Sequence, residues 1–386
     1  MDKVVYKDRK RTDSMKWDGC MDKFGEENLL PMWVADMDFE APGCVKDALK
    51  KYVDFGVFGY HIHARGYEDA FIRWEETCHH YQVKREWIRF APGVVPAINW
   101  LIHLLTGEAD GVMIMPPVYY PFRDAIVNNR RKTVESPLVR TREGYVIDYE
   151  DVEQKIVDNE VKMLLFCSPH NPVGRVWKED EIRRLLDICK RHHVYVIADE
   201  IHQDIVMRGH RHIVAASTGE YDDSLITLTA GSKTFNLAAC QNSILVIPNE
   251  KLRRTYDGYL KRLSIKEGNP FGYIAVQSAY EHGREWLDEV LHIIESNYRY
   301  LKDTLKEALP DLWIADLEGT YLLWMDLGAY VNPEEMKRFI QGKCGLAVDY
   351  GSWFGGDESA RFIRVNLATR RRNLELAAQR IIQALR

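Results

Sequence analysis

No stretch of this chain approaches the roughly 18 consecutive apolar residues that a membrane-spanning helix requires, so no membrane function is expected. A surplus of positive charge is missing too. The 52 Lys and Arg face 58 Asp and Glu, for a formal net charge of −6, and no basic arm or stripe offers the footprint of a nucleic-acid binder. The one basic run, Arg370–Arg371–Arg372, opens a C-terminal helical pattern and reads as a solvated face. Cysteine is scattered: the seven (20, 44, 78, 167, 189, 240 and 344) include no C-x-x-C pair. Such an odd, dispersed set suggests reduced thiols in a cytoplasmic protein. The opening residues MDKVVYKDRKRTD lack the apolar core of a secretion signal. Histidines occur in close pairs (His61/His63, His79/His80, His192/His193, His210/His212), but without companion ligands at a recognisable spacing. No metal is expected.

What is present is an ordinary globular composition, 46% hydrophobic and 28% charged, over 386 residues. That length exceeds what one compact core usually serves and suggests two domains. The middle of the chain alternates short apolar runs with amphipathic helices. Runs at Gly111–Met115, Lys162–Cys167, Val194–Ala198, Ser224–Leu228 and Asn242–Ile247 are rich in Val, Ile and Leu and lack polar alternation. They read as strands buried on both faces of a largely parallel sheet. Between two of them, residues 178–193 place Ile182, Leu185, Leu186 and Cys189 at helical spacing, with acids leading and bases trailing. Strand–helix–strand units in series make a wound α/β sheet. The last hundred residues differ: a helix over 285–308, a strand over 320–327, a helix after Asn332 and Pro333, a strand over 362–368 and a closing helix predict a smaller α+β part.

Three polar residues fall just after predicted strands: Asn171 after LLFCSPH, Asp199 at the end of VYVIAD, and Lys233 after SLITLTAGS. Wound sheets bind ligands at the carboxyl ends of their strands, so successive strands would deliver all three to one cleft. These residue types fit pyridoxal phosphate. A lysine amine condenses with an aldehyde, and burial lowers its pKa enough to make it a nucleophile and base. An aspartate facing a pyridine nitrogen keeps it protonated, and the protonated ring accepts electrons from a carbanion. An asparagine can donate to the ring hydroxyl.

SPHNPVGR (168–175), ADEIH (198–202), GSKTFNL (231–237) and FIRVNLA (362–368) resemble fold-type-I pyridoxal phosphate enzymes of the aminotransferase superfamily. KWD (16–18), PMWVADMDF (31–39), PPVYYPF (116–122) and EGTYLLWMDL (318–327) are similar, more narrowly, to the branch of bacterial cystathionine β-lyases, the MalY/PatB family. The motifs occur in the same order over nearly the whole chain. The resemblance implies a large cofactor-binding domain over 51–285, and a small domain made of 1–50 and 286–386.

It also implies roles. Lys233 is the residue that carries the cofactor as a Schiff base and later moves the proton. Asp199 is the partner of the pyridinium and Asn171 the donor to the ring hydroxyl. Tyr119 stacks on the ring, and His202 lies near it. Arg364 is the fork that holds the substrate carboxylate. Gly93, Val94 and Val95, at a glycine turn before a helix, cradle the phosphate together with Ser232. Tyr60, in FGY, is implied to reach across a homodimer interface to the neighbour's phosphate. The expected partners are a small amino-acid substrate and a second copy of the chain.

The reaction implied by the narrow resemblance is β-elimination from cystathionine or another cysteine S-conjugate, yielding a thiol, pyruvate and ammonia. An amino-acid aminotransferase would use the same residues, and a ligand-sensing regulator on the same fold is a third reading. Two stretches depart from the family: NLATRR (366–371) after the carboxylate arginine, and HIHARG (61–66) after FGY. Both bear on substrate preference.

Overall fold

The computed structural model describes residues 4–62, 65–142, 144–356 and 358–385. Its centre is a seven-stranded sheet of strands β1 (Ile88–Ala91), β2 (Gly111–Ile114), β3 (Lys132–Glu135), β4 (Val161–Cys167), β5 (Tyr195–Asp199), β6 (Leu225–Thr229) and β7 (Ser243–Val246). The spatial order is β1-β7-β6-β5-β4-β2-β3. The five strands from β6 to β3 run parallel. Both faces are covered, one by an apolar layer around Ile98, Ile102, Phe122 and Tyr256, the other by one around Leu185, Trp177 and Trp324. This double burial is why the strands lack alternation.

The run at Asn242–Ile247 forms a strand, but β7 is antiparallel to both of its neighbours. The connection from β6 explains the reversal. It holds only the four-residue helix Gly231–Thr234 and one tight turn. With no crossover helix to run back along the sheet, the chain re-enters at the end where β6 finishes, and β7 runs antiparallel to it.

A four-stranded antiparallel sheet packs beside this layer. Its strands are β8 (Trp313–Ile314), β9 (Leu322–Asp326), β10 (Asp349–Tyr350) and β11 (Phe362–Asn366), in the order β8-β9-β11-β10. The helix Arg284–Ala308 buries Trp286, Leu287, Val290, Ile294, Leu301 and Leu305 along one stripe. Its buried Asn297 donates to the carbonyls of Leu367 and Thr369, tying it to the end of β11. Where a helix is expected after Pro333, a tight turn at Pro333–Glu335 leads into a widened π-helical segment, Arg338–Lys343. There the Gln341 amide is drawn inward to the carbonyl of Phe24 and the hydroxyl of Tyr350. The basic run lies at the surface, with Arg370 and Arg372 exposed, though Arg371 donates to Ser296 and lies over Tyr300, and Arg370 lies over Tyr6. Among the described residues no helix is long and apolar enough to cross a membrane.

Candidate active site

Adjacent parallel strands carry the first two polar residues to one end of the sheet. Asp199 closes β5 opposite Cys167, the last residue of β4, and Asn171 lies four residues past that. β6 then delivers Lys233 on the helix Gly231–Thr234. Asp199 is 4% exposed and accepts from the Ile201 amide at 3.1 Å. Burial pushes its carboxyl up to about 7, against the pull of that amide and of the Lys233 charge. The Lys233 amine is pushed down to about 8, mainly by burial; Asp36 and Asp199 oppose the fall and Arg364 adds to it. Its Nζ donates to the carbonyl of Ala35 at 2.6 Å.

Arg364 reaches the same cluster from β11. It is 2% exposed, and its Nη1 donates to Asn171 Oδ1 at 2.8 Å. His202 is buried, with its ring edge-on to Tyr321 and no partner for Nδ1. Burial, reinforced by the Lys233 and Arg364 charges, holds its pKa well below the ordinary imidazole value, so it is neutral. Tyr119 is half-buried, and its hydroxyl is raised by burial first, with the charges of Arg364, Asp199 and Asp349 also acting on it. Gly93 flanks the helix Val94–Leu105. The first-turn amides of Val94 and Val95 have no carbonyl one turn before them to bond, and Pro96 has no N–H at all. Ser232 is half-buried beside Lys233.

One expected residue stands apart. Tyr60 is fully exposed, so it cannot line the buried cluster of its own chain. In the neighbouring HIHARG stretch, the His61 ring stacks on Tyr273, while His63 and Ala64 lie outside the described residues. Several histidines of the paired clusters hold acids: His79 pairs with Asp204, His192 with Glu153 and His212 with Glu200.

Sequence reasoning singled out PMWVADMDF as a motif but gave it no role in the site, and this is the segment that covers the cluster. The Ala35 carbonyl accepts from both Lys233 and the Tyr321 hydroxyl, the latter at 2.8 Å. Asn366 donates to the carbonyls of Val34 and Asp36, and Arg364 to that of Trp33. Asn236, in the left-handed region at φ 58, bonds Met37 and Phe39 from the other side. The stretch PMWVADMDF thus roofs the cluster through its backbone. Asp349, ion-paired with Arg364 across β10 and β11, was missed as well. Beneath the cluster Asp204 accepts from Thr234, the residue after Lys233, at 2.7 Å, and from Trp74 at 2.8 Å.

A half-buried lysine with a buried aspartate, asparagine and arginine at the strand ends can hold an amino acid beside an aromatic aldehyde. The family model for aminotransferases of class I and II matches residues 34–381. The chain belongs to that family. It is 36% identical over 381 residues to cystathionine β-lyase PatB of Bacillus subtilis (strain 168), covering 98% of each. Its fold matches that of cystalysin from Treponema denticola, which contains a pyridoxal 5'-phosphate cofactor, with a TM-score of 0.95 at 36% identity over 99% of this chain and 98% of that one. The match to the pyridoxal phosphate-bound C–S lyase from Staphylococcus hominis has a TM-score of 0.93 at 33% identity, covering 100% and 97% of the two chains. The architecture is therefore the fold-type-I one of these enzymes.

Proposed function

We propose that this protein is a pyridoxal phosphate-dependent C–S β-lyase that cleaves cystathionine or a related cysteine S-conjugate to a thiol, pyruvate and ammonia. The observation that carries the reading is the meeting of Lys233, Asp199, Asn171 and Arg364 at the carboxyl end of the large sheet, in a chain whose relatives include a named cystathionine β-lyase and C–S lyases. The residues fit the cofactor. Asp199 is a buried carboxyl whose raised pKa a pyridinium would bring down. His202 Nδ1 and Ser168 Oγ are buried polar atoms without a partner, which a polar ligand would satisfy.

When bound, pyridoxal phosphate supplies an electron sink that makes the α-hydrogen of an amino acid acidic. The chain's own groups do the rest. Lys233 would hold the cofactor covalently, and its Nζ, whose pKa burial lowers, is the base that would take the α-proton. Asp199 would keep the ring nitrogen protonated, and Asn171 would support the ring hydroxyl. Tyr119 would stack on the ring, with neutral His202 beside it. The amides of Val94 and Val95 with Ser232 would hold the phosphate, next to the Gly93 turn. Arg364 anchors the substrate carboxylate.

Further parts of the reading concern assembly. We infer a large domain over 51–285 with a small one from 1–50 and 286–386, and a cytoplasmic homodimer in which Tyr60 reaches the neighbour's phosphate. Support for the dimer comes from an exposed apolar patch around Phe55, Val57, Phe58, Tyr60 and Ile62. Support for a reducing compartment comes from seven cysteines that are all unpaired.

The test is to supply the cofactor-loaded protein with L-cystathionine and no keto acid, and to follow pyruvate and free thiol. Equal amounts of both over many turnovers are expected. Absence of pyruvate, with activity appearing only when a keto acid is added, would make the protein an aminotransferase instead.

A further inference from the structure

Arg364 does not present a free fork. A guanidinium offers five N–H groups, and bidentate capture of a carboxylate uses either the two Nη nitrogens or Nε with one Nη. Here Nη1 donates to Asn171 Oδ1 at 2.8 Å, and Nη2 donates both to the Trp33 carbonyl at 3.2 Å and to Asp349 Oδ2. Nη2 has no hydrogen left. Nε, which lies on the same edge as Nη2, has no partner among the described residues. A second carboxylate can close a two-point contact with this arginine only if Nη2 gives up one of its acceptors.

Of those two acceptors, Asp349 is the one that an incoming anion opposes. It faces Arg364 directly across β10 and β11 and is 1% exposed, with Oδ1 lacking any partner. Both carboxylates would then sit against one cation in a site closed to water, where like charges repel strongly. Besides Arg364, Lys23 is the cation whose charge acts on Asp349, and its Nζ lies 4.3 Å from the centre of the Trp353 ring. Tyr119 and Tyr120 face both members of the pair, and Lys233, His202 and Tyr321 face Arg364.

We infer that Asp349 is a resident competitor for the substrate carboxylate at Arg364, and that it sets a weak affinity for amino-acid substrates. This rests on the reading of Arg364 as the carboxylate anchor. Occupation of the anchor displaces Asp349 from Nη2 and leaves it to Lys23 or to a proton. The contact thereby tunes KM without touching the bond that breaks. It also narrows the advantage of a free acid over its carboxamide, because the acid alone must overcome the resident charge.

The experiment compares Asp349→Asn, Asp349→Glu and Arg364→Lys in the cofactor-loaded enzyme, reading KM and kcat for L-cystathionine and inhibition by propionate. Asp349→Asn is expected to lower KM by roughly tenfold, well beyond any change in kcat, and to tighten propionate to a similar degree. Asp349→Glu, which keeps the charge, should stay within about threefold of the native KM, and Arg364→Lys should raise KM. An unchanged or raised KM in Asp349→Asn, with KM raised in Arg364→Lys, would show that Asp349 merely orients the guanidinium and would overturn the inference. An unchanged KM in Arg364→Lys would remove the anchor reading itself, and the inference with it. Should Asp349→Asn not fold, the native enzyme still decides. A propionate-to-propionamide affinity ratio below about 30 supports the competitor, and one of several hundred or more rejects it.

Discussion

Lys233 sits where two tendencies meet: burial disfavours its charge, while Asp36 and Asp199 favour it. The balance leaves an amine near 8, suited to both attachment and proton transfer. Lys233→Ala is expected to abolish lyase activity and the lysine-dependent visible absorbance of the bound cofactor, while the melting temperature of the cofactor-free protein changes little. Below it, His79 shows the opposite balance. Burial would lower its pKa, but the hydrogen bond and charge of Asp204, with the charge of Glu75, outweigh that and raise it to about 9. A folded-state pKa above the unfolded one binds an extra proton in the native state, so the stabilisation is complete below the ordinary value of 6.5 and is lost as pH rises through about 9. Urea denaturation should therefore find His79→Gln less stable than the native chain by about 3 kcal/mol at pH 6, with the gap closing by pH 10. A gap independent of pH would mean that the pair acts by shape alone.

At the scale of elements, the turn after β10 is the tightest point near the cluster. A Cβ on Gly351 would stand 1.9 Å from the Ser359 carbonyl and 2.8 Å from that of Phe362. Gly351→Ala should cost roughly 3 kcal/mol or more in guanidinium unfolding and, by shifting Asp349, disturb the Arg364 pair. Elements also explain what the sequence made legible. Asn171, Asp199 and Lys233 each follow a short apolar run, so a local pattern sufficed to bring them together on paper, and the buried runs themselves followed from composition. The direction of β7 was not legible, because it depends on the connection forming no crossover helix rather than on any residue in the strand. The roof was hidden for a different reason. Ala35, Val34 and Trp33 act through carbonyls, which every residue type possesses, toward groups 198 to 332 positions away. Asp349 is recognisable only once its register against Arg364 is known.

For the whole molecule, the patch beside Tyr60 is the surface that a second copy would cover. Tyr52, Phe58 and Phe271 form a ring cluster with centroids 5.3–5.8 Å apart, and Phe58 itself is 57% exposed. Native protein should sediment at twice the mass of the chain, and Phe58→Asp should shift it toward the monomer and weaken cofactor retention. A native monomer with full activity would remove the dimer and the role of Tyr60 together. The roof has a consequence for how the molecule comes to be. Residues 33–39 are synthesised some two hundred positions before Lys233 and more than three hundred before Arg364 and Asn366, the groups that grip them. Loop-closure entropy makes such distant pairings the last to be secured. The large sheet can therefore assemble while this segment waits, and a competent site appears only when the chain's early residues return to close over its latest ones.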